Sequence, residues 1–203
     1  MIEAILFDFG DVFINLDKEA TTRELKKLGL KDWNKELQEL NFKYEVGKID
    51  ELEFISGIQK HIPNAELSDI RNAWNSILID FPLERLEFLQ LLSTRYRLFL
   101  LSNTDQTHID KFEHLVGQSF ARDFYSCFDK VYFSYDIKLR KPDEKAFKFI
   151  LNNHNLAPKK TFFVDDNEDN IKSAKNIGIQ TWHINPQTED VTQLLDKLKT
   201  VYA

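Results

Sequence analysis

Apolar residues fall into two kinds of pattern along the chain. Short, mostly apolar runs occur at Ile2 to Phe7, Arg97-Leu98-Phe99-Leu100-Leu101, Val131-Tyr132-Phe133, Thr161-Phe162-Phe163-Val164 and Thr181-Trp182-His183-Ile184. Runs of this length read as strands, and the most apolar of them as strands buried on both faces of a parallel sheet. Elsewhere the apolar positions recur at helical spacing. From Asp17 to about Leu92 there is helical patterning and no strand run. Asp17 can cap a first helix through Leu25 and Leu28, with Gly29 as its stop. A second helix is predicted from near Asp32 to Tyr44, carrying Trp33, Leu37 and Leu40 and ended by Gly47. Asp50 can cap a third, through Leu52, Phe54, Ile55 and Ile58 and stopping before Pro63. Ser68 lies near the start of a fourth, where Ile70, Trp74, Ile77 and Leu78 share a face.

Beyond Pro82 helices and strands alternate. A helix is predicted over Leu83 to Ser93, and another helical stretch follows the Arg97 strand. Lys141-Pro142-Asp143 opens a helix bearing Ala146, Phe147, Ile150 and Leu151 on one face, with Pro142 in its first turn. Gly178 closes the next helix, and Val191, Leu194, Leu195 and Leu198 stripe a terminal one. This alternation predicts an α/β fold built on a doubly wound parallel sheet. The helical stretch after the first strand is too long for an ordinary crossover. It reads as an inserted helical bundle over residues 16–82, standing above the end of strand 1, with residues 1–15 and 83–203 forming the α/β core.

Composition narrows the class. The 203 residues carry 33 acids against 27 Lys+Arg, a net charge of −6, which disfavours binding to nucleic acid. No window approaches the length of a membrane span. The apolar N-terminus has no basic flank and contains Glu3 and Asp8, unlike a signal peptide. Cys127 is the single cysteine and reads as a packing residue. Cytoplasmic residence is the expectation.

The chemistry gathers at strand ends. Asp8-Phe9-Gly10-Asp11, Ser102-Asn103 and Asp165-Asp166 each follow an apolar run. In a parallel sheet those ends share one edge, where ligands bind. An acid at the end of a buried strand is costly unless it is paired, hydrogen-bonded or bound to a metal; a lone one is about as often a turn or cap residue. Asp8-Phe9-Gly10 also spells the metal-binding triplet of protein kinases. That triplet follows a glycine-rich loop and a catalytic loop, which the residues before Asp8 do not supply. Clustered carboxylates imply a divalent cation, and an all-oxygen donor set suits magnesium better than zinc. Magnesium with Lys141 and the Ser102 hydroxyl makes a site for a phosphoryl group, and a carboxylate such as Asp8 can attack phosphorus.

Taken together, Asp8-Phe9-Gly10-Asp11-Val12, Leu101-Ser102-Asn103-Thr104, Lys141-Pro142-Asp143 and Val164-Asp165-Asp166-Asn167 resemble, in order and spacing, the four motifs of the haloacid dehalogenase superfamily of hydrolases. The inserted helices resemble its small helical cap. Tyr44-Glu45-Val46-Gly47-Lys48-Ile49 and Ala73-Trp74-Asn75 are similar to cap segments of the branch with bacterial sugar-1-phosphate phosphatases and epoxide-hydrolase N-terminal domains. The resemblance implies a phosphatase acting on a small phosphorylated metabolite. Asp8 would be nucleophile and magnesium ligand, the Gly10 carbonyl and Asp166 further ligands, and Asp165 a support behind them. Ser102 and Lys141 would hold phosphoryl oxygens, and Asn103 would line the site. Asn167 and Asn170 read as capping or supporting residues.

Gly10 departs from the family pattern, in which most phosphatases carry a second Asp as general acid and base. Asp11 is adjacent in sequence but should point elsewhere. Three other readings compete. A dehalogenase needs no metal, which sets it against Asp165-Asp166. A receiver-like phosphoacceptor places its acid pair after the first strand and has no cap. A non-catalytic binding protein is made possible by Gly10. His61, His108, His114, His154 and His183 show no metal-ligand spacing and read as surface or packing residues.

Overall fold

In the computed structural model, which describes residues 1–201, the apolar runs form five strands. They are β1 Ala4–Phe7, β2 Arg97–Ser102, β3 Lys130–Phe133, β4 Thr161–Asp165 and β5 Gln180–His183. All neighbours pair in parallel, in the order β3-β2-β1-β4-β5. Residues 202 and 203, the end of the stretch assigned to the core, lie outside the described residues.

Alternation along each strand divides the core. Ile5, Phe7, Leu98, Leu100, Phe162 and Val164 face one side. Ala4, Leu6, Phe99, Leu101 and Phe163 face the other. Both sides are dry because helices cover them. The first is packed by α5 (Leu83–Ser93), α6 (Gln106–Val116), α7 (Gln118–Ser126) and α11 (Leu194–Val201). The second is packed by α9 (Glu144–His154) and α10 (Glu168–Asn176). Cys127 is buried among the first set, as a packing residue.

Four helices stand between β1 and α5: α1 Ala20–Lys27, α2 Lys35–Glu45, α3 Glu51–Gln59 and α4 Leu67–Asn75. They enclose a core of their own that includes Leu25, Leu37, Tyr44, Phe54, Ile58, Ile70 and Trp74. The chain enters and leaves this unit side by side. The Asn15 N–H donates to the Asp80 carbonyl (2.8 Å), Ile79 N–H to the Asn15 carbonyl (3.0 Å) and Asp17 N–H to the Ile77 carbonyl (2.9 Å). Arg85, buried on α5, pins the crossing by donating to the Phe13 carbonyl (3.0 Å), Asn15 Oδ1 (2.9 Å) and Asp190 Oδ2 (2.9 Å).

That crossing accounts for two differences from the sequence reading. Asp17 is tied to Ile77 and forms a turn instead of a cap, its Oδ1 accepting from the Glu19 N–H, so α1 starts only at Ala20. Ile77 and Leu78 belong to the returning segment, where Leu78 bridges Leu16, and not to α4. Helix α2 also starts later than Asp32, because Asn34 provides the cap through Oδ1 to the Leu37 N–H. Asp50 does cap α3, in a reciprocal box with Glu53. A short helix missed in the sequence, α8 (Ser134–Ile137), meets the inserted unit. There Ser134 Oγ donates to the Glu45 carbonyl at 2.6 Å and Lys138 Nζ to the Gly47 carbonyl at 2.7 Å. Gly47 has φ +59°, and a Cβ on it would lie 2.3 Å from the Tyr135 carbonyl oxygen, so this contact requires glycine.

Candidate active site

The register of β1 sets the site. Phe7 pairs with Leu100 and with Val164, which brings Asp8 to the sheet edge beside Asp165 and close to Ser102. The Asp8 N–H still donates to the Val164 carbonyl at 2.9 Å, so its backbone is fixed by the sheet itself. Oxygens of Asp8, Asp165 and Asp166 lie within 4.8 Å of one another.

Lys141 neutralises part of this charge. It is 1% exposed, and its Nζ lies 2.7 Å from Asp8 Oδ1 and 2.7 Å from Asp165 Oδ2. Burial works against its charge, but Asp165 and Asp8 outweigh that and hold the ammonium above the ordinary lysine range. Its placement differs from the sequence reading in one respect. Lys141 and Pro142 precede α9, whose cap is Asp143, with Oδ1 accepting from the Lys145 N–H at 2.9 Å. The residue before a proline is disfavoured in helical conformation, and Lys141 is anchored instead by Asn103. The Lys141 N–H donates to Asn103 Oδ1 (2.9 Å) and Asn103 Nδ2 donates to the Lys141 carbonyl (2.8 Å). Asn103 therefore both lines the site and clamps the lysine.

Asp165 is fully buried and answered by several donors. Oδ1 accepts from the Asn167 N–H (2.7 Å), both oxygens accept from Asn170 Nδ2 (3.1 and 3.0 Å), and Oδ2 faces Lys141. Asn167 also caps α10, as its position suggested. Asp166 Oδ2 is met by Lys18 Nζ at 2.5 Å, and the same ammonium reaches Asp11 Oδ2 at 2.8 Å. Lys18 carries no motif in the sequence. Only the folding of residues 15–19 beside β4 brings it to the acids.

Burial pushes Asp8 up to about 7, with Asp165 and Asp166 adding to the rise and Lys141 opposing it. A cation beside it would favour the carboxylate. The donors are hard oxygens, Asp8 and Asp166 foremost, with Asp165 already committed to Lys141 and Asn170. Such a set fits magnesium.

A cavity of about 220 Å³ opens from Gly10, Ser102 and Asn103 and runs between the inserted unit and α6. Trp74 forms part of its wall while also packing on Phe54. His108 lines it too and does more than fill space. Its Nδ1 lies 3.1 Å from Asp105 Oδ2 and its Nε2 3.1 Å from the Trp74 carbonyl, so both ring nitrogens face acceptors. Burial opposes its charge, but Asp105 and the Trp74 carbonyl raise it above the usual histidine range.

Residues 2–178 match the haloacid dehalogenase-like hydrolases. The chain belongs to this family. Within it, the chain is 29% identical over 189 residues to a D-ribitol-5-phosphate phosphatase of Bacteroides thetaiotaomicron, covering 90% of this chain and 91% of that one. It is similar to the crystal structure of a family enzyme from the same organism in complex with magnesium and inorganic phosphate. That likeness has TM-score 0.82 and 33% identity, over 96% of this chain and 99% of the other. A 2-haloacid dehalogenase from Pseudomonas syringae shares the fold, with TM-score 0.66 and 16% identity over 100% of both chains. No described helix is long and apolar enough to cross a membrane.

Proposed function

We propose that the protein is a magnesium-dependent phosphatase of small phosphomonoesters, with sugar or polyol phosphates as its class of substrate, and that helices α1–α4 serve as its cap. The observation that carries this reading is Lys141 Nζ held 2.7 Å from Asp8, at the sheet edge shared with Ser102 and Asp166. The family's relatives support it: a sugar-alcohol phosphate phosphatase and a structure holding magnesium with phosphate.

Charge explains why a metal belongs here. Lys18 and Lys141 face Asp8, Asp11, Asp165 and Asp166, which leaves the edge short of positive charge before a phosphate arrives. Asp8, Asp166 and the Gly10 carbonyl would hold the magnesium, which would supply charge neutralisation for the attacking carboxylate and the phosphoryl oxygens. Asp8 attacks phosphorus, the ester P–O bond breaks, and the departing oxygen takes its proton from water. Lys141 and the Ser102 hydroxyl hold the phosphoryl oxygens during transfer. Water then attacks the phosphorus of the aspartyl phosphate, freeing inorganic phosphate and restoring the carboxylate. Asp165 acts on Lys141, fixing its ammonium toward Asp8, while Asn103 holds the lysine backbone.

A panel of phosphate esters including ribitol 5-phosphate and p-nitrophenyl phosphate, assayed with magnesium and with chelator, tests the reading. Phosphate release that needs magnesium and disappears in Asp8→Asn is expected. An Asp8→Asn enzyme that keeps near-normal rates would remove Asp8 as nucleophile, and a wild type silent on the whole panel would favour a binding role.

A further inference from the structure

We infer that the cavity between α2 and α6 is a subsite for an uncharged, hydroxyl-bearing leaving group, recognised by Asn41 and Glu45. This inference rests on the phosphatase reading, because it assigns the end of the substrate remote from phosphorus.

The cavity begins at Gly10, Ser102 and Asn103, so a phosphoryl group at the catalytic edge would direct its ester oxygen into it. Its volume of about 220 Å³ suits a small organic group and not a large one. Much of its wall is already satisfied. His108 has both nitrogens engaged, and Asp105 Oδ2 also accepts from Trp74 Nε1 at 3.1 Å. These groups lock one another and form a rigid side of the cavity. Trp74, stacked on His108 with ring centroids 4.9 Å apart, is held flat by the same network.

Two residues of α2 are different. Asn41 lines the cavity, and its side-chain oxygen is buried with no hydrogen-bond partner. Buried acceptors of this kind are rare and call for a donor. One helical turn on, at the i+4 position, Glu45 lines the same cavity. Its Oε2 lies 2.8 Å from Arg140 Nη1, an ion pair without hydrogen-bond alignment. Asn41 and Glu45 thus offer neighbouring acceptors to whatever enters, and a hydroxyl supplies a donor to each. Burial raises the Glu45 carboxyl, with Arg140 pulling it back, so a donor to that carboxylate is well placed to stabilise it.

The same wall sets a limit on charge. The charges of the wall are already committed, Glu45 to Arg140 and Asp105 to His108 and Trp74. A second phosphate or a carboxylate on the leaving group would lose its hydration there and find no uncommitted cation among the residues lining the cavity. Neutral polyol and sugar monophosphates fit; bisphosphates and phosphorylated sugar acids do not.

The test compares p-nitrophenyl phosphate, which lacks hydroxyls, with ribitol 5-phosphate and with a phosphorylated aldonic acid of equal length. Asn41→Leu should raise KM for ribitol 5-phosphate at least about tenfold and should affect the aryl ester distinctly less. Glu45→Gln should shrink the wild type's preference for the neutral ester over the acid. Calorimetry in the Asp8→Asn background, titrating ribitol 5-phosphate and inorganic phosphate, repeats the comparison without turnover. Asn41→Leu should weaken the ester and spare the inorganic ion, and thermal melts verify that each variant folds. Equal losses on both esters, or equal binding losses for ester and inorganic phosphate, overturn the subsite. A wild type that hydrolyses no ester overturns the phosphatase reading instead, and the binding comparison then decides the subsite alone.

Discussion

Lys18 grips Asp11 with 2.8 Å between its Nζ and Asp11 Oδ2, and this commits the acid that stands beside Gly10 in the chain. The other oxygen of Asp11 accepts from the Leu16 N–H at 3.0 Å, and the residue sits at φ +54°, a conformation uncommon for a side chain with a Cβ. Asp11 is therefore built into the turn that leads to the inserted helices. Asp11→Asn keeps an oxygen for Leu16 and loses only the charge. We expect its kcat to fall by less than about tenfold, whereas loss of a general acid typically costs about 10²–10⁴-fold. Steady-state rates on an alkyl phosphate distinguish the two, and a drop of three decades would make Asp11 the proton donor. Lys18 is largely exposed, so the ion pair itself should contribute no more than about 1 kcal/mol.

Lys18 reaches past Asp11 to Asp166, which alters what removal of that acid should do. Asp166→Ala takes away a proposed metal ligand and also the partner of an ammonium. Repulsion within the acid cluster falls, and Asp8 should drop below about 7 because Asp166 is one of the charges that raise it. Magnesium binding should weaken at least about tenfold, since even residues that only orient metal ligands cost 10–100-fold. Magnesium titrations of activity and of melting temperature read this directly, because a ligand that binds the native state raises the melting point. An unchanged magnesium requirement would place the metal elsewhere.

The features of the site differ in how visible they were before folding. Asp8, Ser102, Asp165 and Asp166 were legible because each ends or follows an apolar run, and a parallel sheet gathers such ends at one edge; Lys141 was legible from its place just before a helix. The strands were legible for the same reason: a run buried on both faces has few polar interruptions. Lys18 and Asn41 were not. Their roles depend on how the crossing at Asn15 and Asp80 swings the helices over the edge, and no local pattern encodes that approach. His108 was hidden differently. It sits on a helix face like any packing residue, and only its acceptors, Asp105 three residues back and the Trp74 carbonyl, favour its charged form. The starts of α1 and α4's end were misplaced because long-range backbone pairing, from Asp17 to Ile77, overrode good local caps.

His108 should make stability depend on pH. Its folded value lies above its ordinary 6.5, so the native state binds the proton more tightly than the unfolded chain does. The stabilisation is full below pH 6.5 and is lost as the pH rises through the folded value. His108→Gln should remove that slope. The wild type should then lose stability relative to the variant from pH 6.5 upward to the upper limb of the His108 titration, as seen by denaturant unfolding. NMR titration of the ring supplies the folded value. A His108 that titrates below 6.5, or a wild type and variant with parallel pH profiles, would show that the Asp105 contact does not hold the ring charged.

Gly10 leaves its mark on the leaving group. Without an acid at that position, and with Asp11 engaged by Leu16 and Lys18, the ester oxygen must depart with more negative charge or be protonated by water. General acid help typically contributes about 10²–10⁴-fold, and its absence weighs most on poor leaving groups. Rates over a series of esters should therefore rise steeply with leaving-group acidity, aryl phosphates and anomeric phosphates ahead of primary alkyl ones. The missing base should also slow hydrolysis of the aspartyl phosphate, so a burst of alcohol release is expected with good leaving groups. Gly10→Asp tests the cause. A Cβ at Gly10 would come 2.7 Å from Leu16 Cδ1, the end of a flexible side chain, and Gly10 lies outside the positive-φ region, so the position can accept a side chain once Leu16 shifts. The variant should speed alkyl esters more than aryl esters and flatten the dependence. A wild type whose chemistry is rate-limiting yet indifferent to leaving-group acidity would mean that another residue already delivers the proton.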